Sequence, residues 1–210
     1  MVEPVTDLDV DRIRSNLARI REQVGPRVEI LAATKYIRAE DMGALADAGV
    51  ELAGENRLQD LEEKSERWGE RFTWDFIGNL QSRKVRRILP LVRLIHSVAS
   101  ESALEQLGRH GDPDTEVLVE VNLSGEEEKG GIAPEALDDF IERCPVRVSG
   151  LMTMPPFTED PEASRPYFAR LAELASERSL ERLSMGTSQD WPVAVQEGAT
   201  IIRLGSVLWA

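Results

Sequence analysis

The chain has 210 residues, of which 41% are hydrophobic and 30% are charged. This balance is typical of a folded protein with a substantial core, and it excludes a chain that is disordered throughout. The formal net charge of −13 opposes contact with a phosphate backbone, so we expect no nucleic-acid partner.

The few cysteines and histidines also exclude several classes of site. Cys144 is the one cysteine and there are two histidines, so an internal disulfide is impossible and a zinc site of the Cys/His type is nearly excluded. No apolar run approaches the roughly 20 residues that span a bilayer, and the acidic N terminus lacks the layout of a signal peptide. We expect a cytoplasmic protein without a metal site or a membrane partner.

The hydrophobic pattern predicts an N-terminal helix over 7–24, followed by strands that alternate with helices. The predicted strands are 28–36, 51–56, 73–78, 94–100, 116–122, 146–154, 183–187 and 200–206. The predicted helices between them are 38–48, 58–68, 82–89, 101–109, 134–143, 162–177 and 190–197. The proline-rich stretch 155–161 and the acidic run 126–128 are predicted to be loops, the latter solvated.

Eight buried strands in strict alternation with helices predict an α/β fold with parallel pairing. The count favours a (β/α)8 barrel of the TIM type, one domain over 1–210, with an extra N-terminal helix. The sequence leaves no room for an outer helix after the eighth strand, and we expect the helix over 7–24 to cover that gap. An open, doubly wound sheet is the alternative, because its loops have similar lengths.

Lys35 is the sharpest candidate at the strand ends, where functional side chains of such barrels gather. It is one of only four lysines among 25 basic residues, and it follows the apolar run ILAAT, so its stem is expected to begin inside the barrel wall. A desolvated lysine has a lowered pKa and forms a Schiff base with an aldehyde. The alternative is an ordinary strand-end lysine that reaches solvent or pairs with a carboxylate.

Two turns of small residues lie at the ends of the last two predicted strands. The first contains Ser184, Gly186, Thr187 and Ser188, and the second is Gly205-Ser206. Small residues before a helix present backbone N–H groups and hydroxyls to an anion, and the loops after strands seven and eight of a barrel often bind phosphate. The alternative is that Ser188 caps its helix.

Four further polar residues interrupt or end apolar strands. Arg203 lies within IIRLG and needs a partner if it is buried, either a carboxylate or an acceptor such as a pyridine nitrogen. Asn56 and Asn122 follow strands and either donate to ligand oxygens or satisfy turn backbone. His96 has no local Ser or Asp arrangement, and we interpret it as a core histidine with satisfied hydrogen bonds.

Eight motifs together resemble one known family, the pyridoxal phosphate homeostasis proteins, which are stand-alone barrels similar to the N-terminal domain of alanine racemase. In chain order, the motifs are AATK, GENRLQD, WDFIGNLQSRK, IHSV, EVNLSGEEEKGG, GLMTM, LSMGTSQD and RLGS. They extend over nearly the whole chain and occur in the expected order, which makes the resemblance far more specific than any single motif.

The resemblance implies a role for each candidate. Lys35 looks like the lysine that holds pyridoxal 5′-phosphate (PLP) as an internal aldimine. The segment Ser184–Ser188 and the pair Gly205-Ser206 look like the phosphate cradle, and Asn56 lies where the family approaches the cofactor ring. Arg203 looks like the residue that faces the pyridine nitrogen. An arginine there keeps that nitrogen unprotonated and weakens the ring as an electron sink.

We therefore expect a carrier or reservoir of PLP in vitamin B6 homeostasis, without robust catalysis. An amino-acid racemase is the main alternative, but racemisation needs a second proton donor. Related enzymes take this donor from a further domain, which we do not expect in this chain. Tyr36 is not an obvious substitute, because it follows Lys35 and neighbours on a strand face opposite ways. A Schiff-base aldolase is a lesser alternative. PLP-dependent apoenzymes are the expected clients, and a monomer is the expected state.

Overall fold

A computed structural model of the chain describes residues 5–126 and 129–210. Residues 127 and 128 of the predicted acidic loop therefore lie outside the described residues. The strands are β1 Glu29–Ala33, β2 Leu52–Glu55, β3 Thr73–Phe76, β4 Leu94–Val98, β5 Glu116–Glu120, β6 Arg147–Met152, β7 Arg182–Thr187 and β8 Ile201–Leu204. The α-helices are α1 Val10–Val24, α2 Met42–Asp47, α3 Leu58–Trp68, α4 Val85–Ile88, α5 Glu101–His110, α6 Leu137–Glu142, α7 Arg165–Glu177, α8 Trp191–Gln196 and α9 Ser206–Trp209.

The eight strands close into a parallel barrel in chain order. Each strand pairs with the next, and β8 pairs with β1 over four residues, from Glu29 opposite Ile201 to Ala32 opposite Leu204. This last pairing removes both sheet edges, so the open doubly wound alternative is wrong and the predicted barrel is confirmed.

The N-terminal helix covers the junction between the last strand and the first. The Asp9 carboxylate accepts hydrogen bonds from the N–H groups of Asp11 and Arg12, which fixes the start of α1. The helix then packs against both α2 and α9, and the Asn16 side-chain amide donates to the Leu208 carbonyl at 3.1 Å. The gap is covered as predicted, but the expectation of no helix after the eighth strand is wrong, since α9 supplies one turn there.

Several predicted elements are longer than the observed ones. Segment 38–48 begins as the 3-10 turn Ala39–Asp41, and comparable turns, Ser82–Lys84, Pro134–Ala136 and Pro161–Ser164, precede α4, α6 and α7. The first strand ends at Ala33 instead of 36, because the Thr34 carbonyl accepts from the Ile37 N–H at 2.8 Å and starts a turn. Lys35 and Tyr36 therefore lie beyond the strand.

Alternate residues of the strands point into the barrel, where most form an apolar layer. This layer consists of Leu31, Leu52, Leu94, Leu118, Met152 and Ile201, with Ile77 packed against it. The opposite faces of the strands pack against the surrounding helices in the larger core. Residues two positions beyond the apolar layer face the mouth of the barrel at the carboxyl ends of the strands.

Candidate functional site at the carboxyl ends of the strands

The Lys35 side chain is exposed, so the expectation of a lysine desolvated in the barrel wall is wrong. Its Nζ lies 4.7 Å from the centre of the Tyr36 ring. The argument that these two side chains face opposite ways also fails, because both residues belong to a turn and not to a strand. The turn is held from the other side by the Val5 N–H, which donates to the Tyr36 carbonyl at 2.8 Å.

A buried ion pair lies directly behind this turn. The Lys64 ammonium contacts the Glu55 carboxylate and donates to the Thr34 carbonyl at 2.9 Å. The Thr34 hydroxyl donates to the same carboxylate at 2.5 Å. Burial raises the pKa of Glu55, although Lys64 and the Thr34 hydroxyl oppose that shift. The pair thus fixes the peptide that precedes Lys35. Neither Glu55 nor Lys64 was predicted as part of the site.

The turn after β7 has a backbone that favours glycine. Gly186 has a φ of +89°, and a Cβ placed there would lie 2.5 Å from the Cβ of Ala194 in α8. The Thr187 N–H and hydroxyl both donate to one Asp190 oxygen, at 2.7 and 3.0 Å, and the other oxygen accepts from the Ser164 hydroxyl at 2.9 Å. The turn is therefore fixed by its own contacts, which already use the Thr187 donors.

Ser188 connects this turn to the one after β8. Its hydroxyl oxygen accepts from the N–H of Gly205 at 2.9 Å and from that of Val207 at 3.5 Å. A Cβ placed on Gly205 would lie 3.9 Å from the Ala33 carbonyl, so the two turns adjoin the end of β1. Within residues 5–126 and 129–210, the backbone N–H groups of Ser188 and Ser206 have no protein acceptor.

Ser184 lies apart from the rest of its predicted turn. Its side chain is fully buried, and its hydroxyl contacts Arg203 Nη1 at 2.6 Å and His96 Nδ1 at 2.8 Å inside the barrel. The hydroxyl therefore points into the barrel, below the loops that were predicted to bind phosphate.

Arg203 is 5% exposed at the mouth of the barrel. Besides Ser184, it donates from Nη2 to the Thr153 carbonyl at 3.0 Å and to the Met154 sulfur at 2.9 Å. No carboxylate within the described part of the chain lies within 4.0 Å of this guanidinium. Burial lowers the pKa of Arg203 to about 10, and the charges of Glu120 and Asp190 oppose the shift, so the side chain is cationic at neutral pH.

Two more polar groups face the same space. Glu120 lies two residues beyond Leu118, which belongs to the interior layer, and it therefore faces the mouth of the barrel. Burial raises the pKa of Glu120, and the charge of Arg203 opposes this. The Asn56 side-chain oxygen is buried and has no hydrogen-bond partner among the described residues. Glu120 was not predicted, because at a strand end it resembles any solvated acid.

The remaining polar candidates form their hydrogen bonds with other groups of the protein. Asn122 accepts from Ser124 and Gly125 and donates to the Glu126 carbonyl at 2.9 Å, so its turn-stabilising alternative is confirmed. His96 is fully buried and hydrogen-bonded on both ring nitrogens, which confirms the interpretation as a satisfied core histidine. No cluster of metal-ligating side chains and no helix able to cross a membrane occurs among the residues that the structure describes.

A lysine, an arginine and two linked turns thus occupy one end of a parallel barrel, and they define a (β/α)8-barrel protein whose candidate site lies at the carboxyl ends of its strands. Residues 8–210 match the family model described as "Alanine racemase, N-terminal domain". The chain belongs to this family and, within it, to the pyridoxal phosphate homeostasis proteins.

Two relatives carry the name pyridoxal phosphate homeostasis protein. The one from Aquifex aeolicus is 40% identical over 195 residues, which covers 86% of each chain. The one from Pseudomonas aeruginosa is 37% identical and covers 95% of this chain and 94% of its own.

Solved structures agree with the family assignment. PipY of Synechococcus elongatus, with PLP bound, is 32% identical, has a TM-score of 0.82 and covers 94% of this chain and 100% of its own. Alanine racemase from Corynebacterium glutamicum has a TM-score of 0.77 at 16% identity, over 96% of this chain and 60% of its own. The racemase shares the fold, and at that identity nothing further follows from the likeness.

Proposed function

We propose that this chain binds PLP at the carboxyl ends of its strands and serves vitamin B6 homeostasis as a carrier or reservoir. The observation that carries the proposal is the meeting of an exposed amine, a buried cation and two linked turns at one rim. The names of the two relatives and the PLP bound to PipY support the same cofactor.

The residues present fit this group. PLP has an aldehyde, a phosphate and a pyridine ring, and each needs a different kind of partner. Lys35 offers an accessible primary amine. Ser188 and Ser206 offer backbone N–H groups without protein acceptors in the described structure, and N–H groups of this kind bind phosphate oxygens. The unpartnered oxygen of Asn56 can accept a hydrogen bond from a ligand.

When bound, PLP supplies an aldehyde carbon that condenses with a primary amine and releases one water molecule. In this chain, Lys35 is the amine, and the ion pair behind Thr34 holds its backbone in place. The backbone N–H groups of Ser188 and Ser206 would hold the phosphate, and the Ser188 hydroxyl, which accepts from the Gly205 N–H, keeps the two turns close.

Arg203 is the residue that we assign to the pyridine nitrogen. A permanent cation beside this nitrogen opposes its protonation, and an unprotonated ring withdraws electrons less strongly. Carbanion chemistry is therefore less favoured than it would be with an aspartate at this position. PLP-dependent apoenzymes as clients, a monomeric state and a cytoplasmic location remain predictions from the sequence.

An absorption spectrum of the purified protein, recorded with PLP before and after borohydride, tests the proposal. We expect a visible band that borohydride abolishes and a covalent adduct that mass spectrometry places on Lys35. Lys35→Ala removes both, while Lys84→Ala, a change in another lysine of the chain, retains them. A protein that stays colourless and carries no adduct at Lys35 contradicts the proposal. Colour also distinguishes the two Schiff-base functions, because a PLP aldimine absorbs visible light and a Schiff-base aldolase does not.

A racemisation assay with several amino acids distinguishes the carrier from the racemase. We expect no turnover at enzyme-like rates. Turnover at such rates, lost in Lys35→Ala, would refute the carrier assignment while leaving the cofactor assignment intact.

A further inference from the structure

A column of polar side chains crosses the otherwise apolar interior of the barrel. At the amino ends of the strands, Arg93 contacts both Glu29 and Asp75, with Nη2 at 2.7 Å from Glu29 and 2.8 Å from Asp75. Asp75 Oδ2 lies 3.1 Å from His96 Nε2. From His96 the column continues through Ser184 to Arg203 at the barrel mouth.

The chemistry of the two ends, together with burial of the imidazole, assigns the direction of each hydrogen bond between them. A guanidinium only donates, so the Ser184 oxygen accepts from Arg203 Nη1 at 2.6 Å. The Ser184 hydroxyl proton can then be donated to His96 Nδ1, 2.8 Å away, if that nitrogen carries no proton. At the other end, the Asp75 carboxylate only accepts, so it takes the proton on His96 Nε2. Burial of the ring disfavours the imidazolium, which assigns His96 as the neutral tautomer with its single proton on Nε2 and with Nδ1 accepting from Ser184.

The charges around the imidazole agree with this assignment. Burial lowers the pKa of His96, although the Asp75 carboxylate opposes the shift. Burial alone would raise the pKa of Asp75, but hydrogen bonds and charges from His96 and Arg93 together hold that pKa below its usual value. The carboxylate is thus ionised and accepts from both neighbours.

We propose that Asp75, His96 and Ser184 are positioning residues that aim Arg203 at the pyridine ring of the cofactor. Asp75 sets the tautomer of His96, His96 holds the Ser184 hydroxyl proton, and the Ser184 lone pair then faces Arg203. This inference rests on the proposed PLP site for its purpose, but the hydrogen-bond order itself does not depend on any ligand.

The geometry explains why Arg203 needs such support. Its other contacts, the Thr153 carbonyl and the Met154 sulfur, both lie on Nη2. Ser184 is the side-chain oxygen that restrains Nη1 within the described part of the chain. If that oxygen is lost, the guanidinium can rotate away from its present plane while remaining buried and charged.

The first arm of the test is carried out on the apo protein. Because the chain has two histidines, ¹⁵N-histidine labelling gives two imidazole spin systems, and His110→Gln assigns the remaining one to His96. At pH 7 we expect His96 to be neutral with a protonated Nε2. In Asp75→Asn, the amide can donate as well as accept, so we expect the tautomer protonated on Nδ1 to become populated. A wild-type His96 that is an imidazolium or is protonated on Nδ1 overturns the proposal.

The second arm measures the PLP dissociation constant and the absorption maximum of bound PLP. Ser184→Ala should raise the dissociation constant about ten-fold or more, as expected for a lost hydrogen bond to a charged group, and should shift the maximum. Ser149→Ala is the matched control, because Ser149 in β6 is also buried and its hydroxyl has no partner among the described residues. Values for Ser184→Ala and Asp75→Asn that equal those of Ser149→Ala overturn the proposal.

The two arms keep this inference distinct from the proposed function. If the wild type does not bind PLP, the proposed function fails, while the imidazole spectrum still decides the hydrogen-bond order. Circular dichroism of each variant excludes unfolding, and Asp75→Asn provides a nearly isosteric test if Ser184→Ala does not fold.

Discussion

Replacing Lys64 by methionine should destabilise the protein strongly and in a pH-dependent manner. The Lys64 and Glu55 side chains are 4% and 0% exposed, so Lys64→Met leaves a carboxylate in the core without its counter-ion. Methionine keeps much of the apolar stem, so packing changes little, and the charge is the main quantity altered.

The magnitude follows from the protonation of Glu55. Burial already raises the pKa of Glu55, and Lys64 is the main group that opposes the shift, so without Lys64 the carboxyl is protonated in the folded state. Keeping this carboxyl protonated at pH 7, well above its ordinary pKa of 4.5, costs on the order of 3 kcal/mol. This agrees with the roughly 3–5 kcal/mol measured when one partner of a buried ion pair is removed.

The sign of the pH dependence is also fixed. A carboxyl group whose pKa is raised on folding stabilises the protein at low pH, and this contribution is lost as the pH increases. Lys64 opposes this shift in the wild type, so the free energy of unfolding lost in Lys64→Met should be smaller at pH 5 than at pH 7.

Urea unfolding, followed by circular dichroism at both pH values, measures this difference. Lys84→Met, at a partly exposed position, is the matched control and should change stability by about 0.5 kcal/mol or less. Adding Glu55→Gln to Lys64→Met removes the titrating group and should abolish the pH dependence. The reasoning would be refuted if Lys64→Met lost the same free energy of unfolding at pH 5 and pH 7. It would also be refuted if the double variant kept the pH dependence of that loss.

Two further predictions concern the turn after β7 and the buried histidine. Gly186→Ala should lower the free energy of unfolding by about 2–4 kcal/mol, because a positive φ and a close approach to Ala194 are combined there. The control is Gly198→Ala, because Gly198 has a φ of +95° but a Cβ there would meet no atom closer than 3.9 Å. This variant should lose about 1 kcal/mol of unfolding free energy, from backbone strain alone. Equal losses in the two variants would exclude a steric contribution at Gly186. Burial lowers the pKa of His96, so below about pH 6.5 the imidazole binds a proton in the unfolded chain and stays neutral in the folded chain. The free energy of unfolding should therefore decrease towards pH 5, by up to about 1.4 kcal/mol per pH unit. His96→Gln should reduce this slope in urea unfolding, and an unchanged slope would show that His96 does not titrate as a buried neutral group.

The local pattern of the sequence was sufficient for the barrel. Each strand is a short apolar run, each helix has its own periodicity, and the turn residues lie between them, so eight units could be counted without knowledge of any contact. The same local information selected Lys35 and the small-residue turns, because the carboxyl ends of parallel strands must meet at one rim. Element ends were less predictable, since hydrogen bonds such as that from the Ile37 N–H to the Thr34 carbonyl decide them.

The interior polar contacts could not be predicted from the sequence. Asp75, His96 and Ser184 each appear as a polar residue between two apolar neighbours or beside another polar one in a short strand, and no local pattern links them. The residues that contact through His96 are 21 and 88 positions apart in the sequence. Lys64 likewise appears as one charge on a predominantly polar helix, although it reaches Glu55 and Thr34 in the core. Sequence periodicity determines which side of a strand or helix a residue occupies, and so it determined the fold class and the rim. Which polar side chains become hydrogen-bond partners depends on strand register and on closure of β8 against β1, and only the tertiary structure decided these. The physical reason is that a buried polar group bonds with the groups that the closed barrel brings within about 3 Å of it.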